Sequence, residues 1–284
     1  MRPRQWTKNL AVFAAIVFSG NLFELRLLAV TSLAFVSFCL VSSALYALND
    51  VLDSQRDRQH PIKRERPVAS GRMSPSTALS ISAVLVIAGG ALSLVVGLPF
   101  ALTLMGYVVL HLLYFFGLKN VSIVDMLVIA AGFVLRAVGG AVAISVPVSP
   151  WLVLCTGLLA LFLAAAKRRH ELLLLRGHSS EHRPVLSEYS AELLDSFMVT
   201  LSAATITSYA LYTFFEARAP HYLMMLTIPF VIYGVLRYQF LVLSKHRGGR
   251  PEEVLLGDVP ILIDVALWLS SAVAVLYLAP RFFS

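Results

Sequence analysis

The sequence predicts an all-α integral membrane protein, and three observations carry that prediction. First, 58% of its 284 residues are hydrophobic, 14% are charged, and the mean hydropathy is +0.79. A soluble chain of this length carries far more charge. Second, the apolar residues come in runs of about 20, the length that crosses a bilayer as a helix, without the short alternating segments of barrel strands. Third, the basic residues concentrate in alternate connections, the mark of a fixed orientation in a membrane.

Nine spans follow, at approximately 8–22, 26–48, 76–96, 99–116, 122–145, 150–171, 191–216, 221–243 and 259–279. Asn21 and Glu24 interrupt the first. It follows Met1-Arg2-Pro3-Arg4 with no small-residue cleavage pattern, so it is read as an uncleaved span. Pro75, Pro99, Pro150, Pro220 and Pro260 fall at or near helix starts, where a missing N–H costs least. Cys39 and Cys155 both sit inside apolar runs, the natural place for free thiols. Residues 1–284 read as a single transmembrane domain.

Of the 23 basic residues, 18 lie in the N-terminus or in the connections after the second, fourth, sixth and eighth spans. Arg26, Arg218 and Arg281 alone fall on the other side, and Arg136 and Arg237 lie within spans. The N-terminus and the two long loops, about 49–75 and 167–190, are therefore expected on the cytoplasmic side of the plasma (inner) membrane.

The first loop opens on acids. Asn49, Asp53 and Asp57 recur every four residues, with Asp50 beside them, which stacks the three along one helical face. Carboxylates gathered at the end of an apolar helix repel one another unless a cation joins them. Mg²⁺ suits such oxygen donors, and it is usually held by one or two carboxylates together with substrate phosphates. The alternative is a solvated loop of mixed charge. Lys63, Arg64 and Arg66 follow and supply counter-charge for phosphate.

The second loop opens Lys167-Arg168-Arg169-His170-Glu171. Lys167 and Glu171 share a helical face and form either a plain ion pair or part of a site. In the site reading, Lys167 and Arg168 hold phosphate while Glu171 assists a metal or a sugar hydroxyl. Arg66-Pro67-Val68-Ala69-Ser70 is echoed by Arg183-Pro184-Val185-Leu186-Ser187, which suggests two related halves facing one cavity. Arg136 lies eleven residues after Asp125 on the same face of span five. A charge at that depth is costly and turns inward, either to a buried acid such as Asp125 or Asp264 or to a lipid phosphate.

The string from Asn49 to Gly71 resembles the first acidic motif of the UbiA prenyltransferase superfamily, Asn-Asp-x-x-Asp-x-x-x-Asp. The resemblance implies a nine-helix bundle with its site at the cytoplasmic face. It also implies that Asn49, Asp50, Asp53 and Asp57 serve Mg²⁺ and a diphosphate, with Asn49, Asp53 and Asp57 as the metal ligands. The second acidic motif of the prenyl-diphosphate-using members is absent: Lys167-Arg168-Arg169-His170-Glu171 stands there, with no aspartate before Asp195. In this the chain is similar to the branch of decaprenyl-phosphate phosphoribosyltransferases, as it is in Arg2-Pro3-Arg4-Gln5-Trp6-Thr7-Lys8-Asn9 and in Asp125 to Arg136.

That branch implies transfer of 5-phosphoribose from 5-phosphoribosyl 1-diphosphate to a polyprenyl (decaprenyl) phosphate, for cell-wall arabinan precursors. Expected substrate contacts are Lys8, Lys63, Arg64, Arg66, Lys119, Arg136, Lys167, Arg168, Glu171 and Tyr189. The competing readings are prenyl transfer to an aromatic or other acceptor, and transport of an anionic solute. The membrane itself is a partner, no nucleic acid is expected, and a homo-oligomer is left open.

Overall fold

A computed structural model describes residues 3–59, 62–174, 184–215, 220–245 and 251–282. No strand occurs among them. The helices are α1 (Ala14–Phe18), α2 (Leu25–Leu52), α3 (Ser54–Gln59), α4 (Pro75–Val96), α5 (Leu98–Phe116), α6 (Val124–Ala143) and α7 (Pro150–Leu174). The second half adds α8 (Ala191–Phe215), α9 (Ile228–Ser244), α10 (Pro251–Gly257), α11 (Val259–Val273) and α12 (Ala279–Phe282).

Among the described residues, eight helices are long and apolar enough to cross a membrane. They are α2, α4, α5, α6, α7 and α8, with α9 and α11 as parts of Tyr222–Ser244 and Val259–Leu278. The prolines behave as expected of helix starts: Pro75 and Pro150 open their helices, and Pro99 and Pro260 sit within the first two positions. The segment expected as the first span differs. Pro3–Phe13 is 3₁₀-helical and runs into the short α1. At roughly 2.0 Å per 3₁₀ residue, the stretch reaches farther than an α-helix of equal length.

Polar contacts join buried apolar residues, Val12, Ile16 and Val17 among them, in holding this N-terminal segment. Trp6 Nε1 donates to Ser43 Oγ at 3.1 Å, and Asn9 Nδ2 donates to Ser42 Oγ and Cys39 Sγ, both at 3.2 Å. Near the C-terminus, Tyr277 Oη donates toward the carbonyls of Ile16 at 3.2 Å and Val17 at 2.8 Å, and accepts from Leu22 N at 2.9 Å. Gly140 makes the close approach to α6 feasible: a Cβ there would lie 1.9 Å from the Val12 carbonyl oxygen.

A small cluster of Ile16, Val17 and Ile144 and two larger packing centres form the interior. One joins Val12, Phe38, Val41, Leu45, Phe100, Leu104 and Tyr107. The other gathers Phe162, Leu194, Met198, Val235, Tyr238 and Ile261 around the Ala164–Ala166 stretch of α7. Outward faces of α4 and α5 carry exposed Val84, Ile87, Leu94, Leu102 and Val109, as befits helices solvated by lipid.

The bundle brings together the C-terminal ends of α2, α5 and α7 with the N-terminal end of α6, through contacts described below. At about 1.5 Å per residue, the 28 residues of α2 extend roughly 42 Å. The hydrocarbon core is about 30 Å thick, so α2 is longer than a single crossing requires.

Candidate active site

The acid row keeps its helical register across the α2–α3 junction. The amide of Asp53 donates to the Asn49 carbonyl at 2.9 Å, and that of Asp57 to the Asp53 carbonyl at 2.8 Å. Asn49, Asp53 and Asp57 thus stack on one face, as the spacing predicts. Asn49 and Asp53 are half-buried, whereas Asp50 and Asp57 are buried.

Each carboxylate in this row meets a cation. Arg66 Nη1 lies 2.7 Å from Asp57 Oδ2 and 3.3 Å from Asp50 Oδ1, bridging the two. Lys119 Nζ, from the turn after α5, lies 2.7 Å from Asp53 Oδ1. Burial pushes the Asp57 carboxyl above the usual carboxylate range, and the adjacent Arg66 offsets only part of that rise. Arg64, by contrast, is exposed and pairs with Glu65 at 3.8 Å; among the described residues it makes no contact with the cluster.

A second cluster stands where α5, α6 and α7 meet. Arg168 is fully buried, and each of its three guanidinium nitrogens donates one hydrogen bond. Nε bonds Asp125 Oδ2, Nη1 donates to Glu171 Oε2 at 2.6 Å, and Nη2 donates to Tyr114 Oη at 3.3 Å. The guanidinium thus ties α5, α6 and α7 together through these contacts. Tyr189 Oη donates to Asp125 Oδ1 at 2.9 Å and accepts the Ile123 amide at 2.5 Å. Burial, with the Asp125 carboxylate nearby, pushes the Tyr189 phenol up to about 12, so it remains a donor.

Ile123 takes φ 68°, a conformation that costs a β-branched residue on the order of 1–3 kcal/mol. Its hydrogen bond to Tyr189 holds that turn, which links Lys119 to Asp125. No sequence pattern announced this strain.

The lysines gather between the two clusters. Lys63 Nζ lies 4.0 Å from Glu171 Oε1. Lys167 is half-buried, is attracted by Glu171, and feels the charges of Arg168, Lys8 and Lys63. Lys8 also donates to Gln5 Oε1 at 2.5 Å. An N-terminal segment, the first loop and α7 thus each deliver an ammonium group to one region. The echoed segments both bury their apolar pairs, Val68-Ala69 and Val185-Leu186. Arg183 and the middle of the second loop, 175–183, lie outside the described residues.

Arg136 turns inward, as its depth predicts, but meets neither Asp125 nor Asp264. Its Nε donates to Asn9 Oδ1 at 2.7 Å, Nη1 to the Gly132 carbonyl at 2.7 Å and Nη2 to Tyr107 Oη at 2.6 Å. It lies over the Tyr107 ring, 4.7 Å from the centroid. The Arg136 partners were not legible from spacing, because Asn9 is 127 positions away. Asp125 instead completes the Arg168 cluster, a role spacing along α6 did not suggest.

Among the described residues, no group of three or more His, Cys, Asp or Glu is arranged to hold a metal unaided. The donor set is nevertheless oxygen-only and mixed with cations. That chemistry fits a hard divalent ion arriving with phosphate oxygens, held by one or two carboxylates, better than a bare ion in a protein cage.

The chain is thus a polytopic helical membrane protein with acidic and basic clusters side by side at one end of its bundle. Residues 10–253 match the UbiA prenyltransferase family, and the chain belongs to that family. It is 35% identical to the decaprenyl-phosphate phosphoribosyltransferase of Mycolicibacterium smegmatis, over 98% of this chain and 91% of that one. It is 33% identical to the enzyme of the same name from Corynebacterium glutamicum, over 99% of this chain and 87% of that one. Its fold is similar to a UbiA homologue from Archaeoglobus fulgidus solved with GPP and Mg²⁺, with a TM-score of 0.74, 20% identity and 97% coverage of each chain.

Proposed function

We propose that this protein transfers the 5-phosphoribosyl group from 5-phosphoribosyl 1-diphosphate to a polyprenyl phosphate and releases diphosphate. The observation that carries the proposal is the replacement of the family's second acidic motif by a basic region. There Lys63 and Lys167 stand by Glu171, Lys8 acts on Lys167, and Arg168 is locked between Asp125 and Glu171. A prenyl diphosphate has one anionic end, whereas the phosphoribosyl donor and the lipid phosphate together bring three phosphate-bearing groups. Full-length similarity to two decaprenyl-phosphate phosphoribosyltransferases supports the same reading.

A lipid phosphate oxygen forms the new bond to the anomeric carbon as the bond from that carbon to diphosphate breaks, its electron pair leaving with diphosphate. The nucleophile is already an anion, so no general base is required. Asn49, Asp53 and Asp57 would hold Mg²⁺, which when bound offsets charge on the departing diphosphate. Arg66 and Lys119 stand beside those acids and suit contact with diphosphate oxygens. Lys8, Lys63 and Lys167 suit the remaining phosphates, and Glu171 a ribose hydroxyl. Arg168 and Tyr189 keep Asp125 and Glu171 in position. The N-terminus and these loops face the cytoplasm, and the segment ending at α1 makes the ninth crossing.

The test incubates purified protein with labelled 5-phosphoribosyl 1-diphosphate, decaprenyl phosphate and Mg²⁺. Labelled phosphoribosyl lipid is expected, with loss of at least about 100-fold in Asp53→Asn, roughly 2.7 kcal/mol of transition-state stabilisation. No labelled lipid from folded wild-type protein, with turnover of a prenyl diphosphate instead, would overturn the assignment.

A further inference from the structure

The cations that suit diphosphate are the same ones that neutralise the acids. We infer that Arg66 and Lys119 form a counter-ion latch, so that the acid row takes up a divalent ion only together with diphosphate. This rests on the phosphoribosyl-transfer reading and adds an order of binding to it.

Arg66 Nη1 contacts both Asp50 and Asp57, and Lys119 Nζ contacts Asp53 at 2.7 Å. A lone divalent ion would have to displace two cations from carboxylates while leaving those cations in partly buried positions. Their side chains are only 22% and 14% exposed. A displaced buried charge with no new partner is costly. Diphosphate removes that cost: its oxygens accept Arg66 and Lys119 in charge-assisted bonds, freeing Asp53 and Asp57 for the metal. The absence, among the described residues, of a three-acid cluster able to hold a metal unaided agrees with this division of ligands between protein and substrate. Guanidinium and ammonium suit the exchange differently. Arg66 Nη1 alone is shared between Asp50 and Asp57, whereas Lys119 makes a point contact to Asp53.

The latch makes Arg66 and Lys119 positioning residues for the metal before they become substrate contacts. It predicts that free divalent ion does not occupy the site between turnovers. Product diphosphate and its metal would then leave as the latch re-forms.

The probe is Mn²⁺, measured by equilibrium dialysis against full-length protein in nanodiscs, with and without inorganic diphosphate. Protein-bound Mn²⁺ is expected only with diphosphate present, with at least a hundredfold difference in apparent affinity. Lys119→Gln, which unpairs the half-buried Asp53, and Arg66→Gln are each expected to tighten diphosphate-free Mn²⁺ binding by roughly tenfold, about 1.4 kcal/mol. Lys119→Gln keeps the test decisive if Arg66→Gln does not fold. Equal wild-type affinity with and without diphosphate would overturn the latch while leaving the metal–diphosphate site intact. Unchanged diphosphate-free binding in a folded Lys119→Gln would overturn it too. No bound Mn²⁺ in either condition would instead remove the metal site, and the latch with it.

Discussion

Replacing Arg168 by leucine separates a frame residue from a phosphate ligand. Arg168 is fully buried and engages Asp125, Glu171 and Tyr114. Leucine would fill part of its volume but leave two carboxylates facing each other in a buried site. Breaking a buried ion pair by removing one partner costs about 3–5 kcal/mol. Hydrogen bonds to charged groups contribute about 1.5–3 kcal/mol each, so the upper half of that range is expected here. For a chain of this size that corresponds to a fall in Tm on the order of 10 °C, read by thermal denaturation in a fixed detergent. Arg168→Leu combined with Asp125→Asn should recover part of the loss, a coupling of roughly 1–3 kcal/mol between the two sites. A pure phosphate ligand would behave differently, raising the KM for the phosphoribosyl donor with little change in Tm. A variant whose Tm stays within about 2 °C of wild type while KM rises would refute the frame assignment.

The remaining predictions address other contacts. Asn9→Ala removes the acceptor for Arg136 Nε and should destabilise by about 1–3 kcal/mol with the donor KM unchanged; a selective KM effect would make Arg136 a substrate contact after all. Gly140→Ala pushes a methyl group against the Val12 carbonyl and should cost about 1–3 kcal/mol, checked by thermal denaturation and by new proteolysis within the N-terminal segment. Because burial holds the Asp57 carboxyl above its ordinary value, its contribution to metal-free stability is complete below the ordinary carboxylate pKa. It is lost as pH rises through the raised one, so Asp57→Asn should flatten the decline in Tm between acidic and neutral pH, and an unchanged slope contradicts that. Tyr189→Phe removes the acceptor for the Ile123 amide and a donor to Asp125; it should lower kcat and Tm together, and a loss of kcat alone would mark Tyr189 as a direct substrate contact.

Much of the site could be read from residue order because its first half is local. Four-residue spacing is a property of a single helix, and the Asn49–Asp53–Asp57 register persists through the junction after α2. Lys167 and Glu171 were likewise legible as neighbours, although Glu171 also accepts a hydrogen bond from Arg168 at 2.6 Å. Arg64 shows the limit: adjacent to Lys63 in sequence, it stays exposed and pairs with Glu65.

The sequence by itself determined the helical membrane class, eight of the expected long apolar helices and the acid ladder, because hydropathy and periodicity act over one or two helix lengths. Only the tertiary structure decided which charge meets which. Lys119 reaches Asp53 across 66 positions, Arg168 reaches Asp125 across 43, and Arg136 reaches Asn9 across 127. Such pairings depend on how helices remote in the chain pack together, and a buried charge takes whichever partner that packing delivers. The same packing set the N-terminal segment in an extended 3₁₀ form, since its polar anchors lie on other helices.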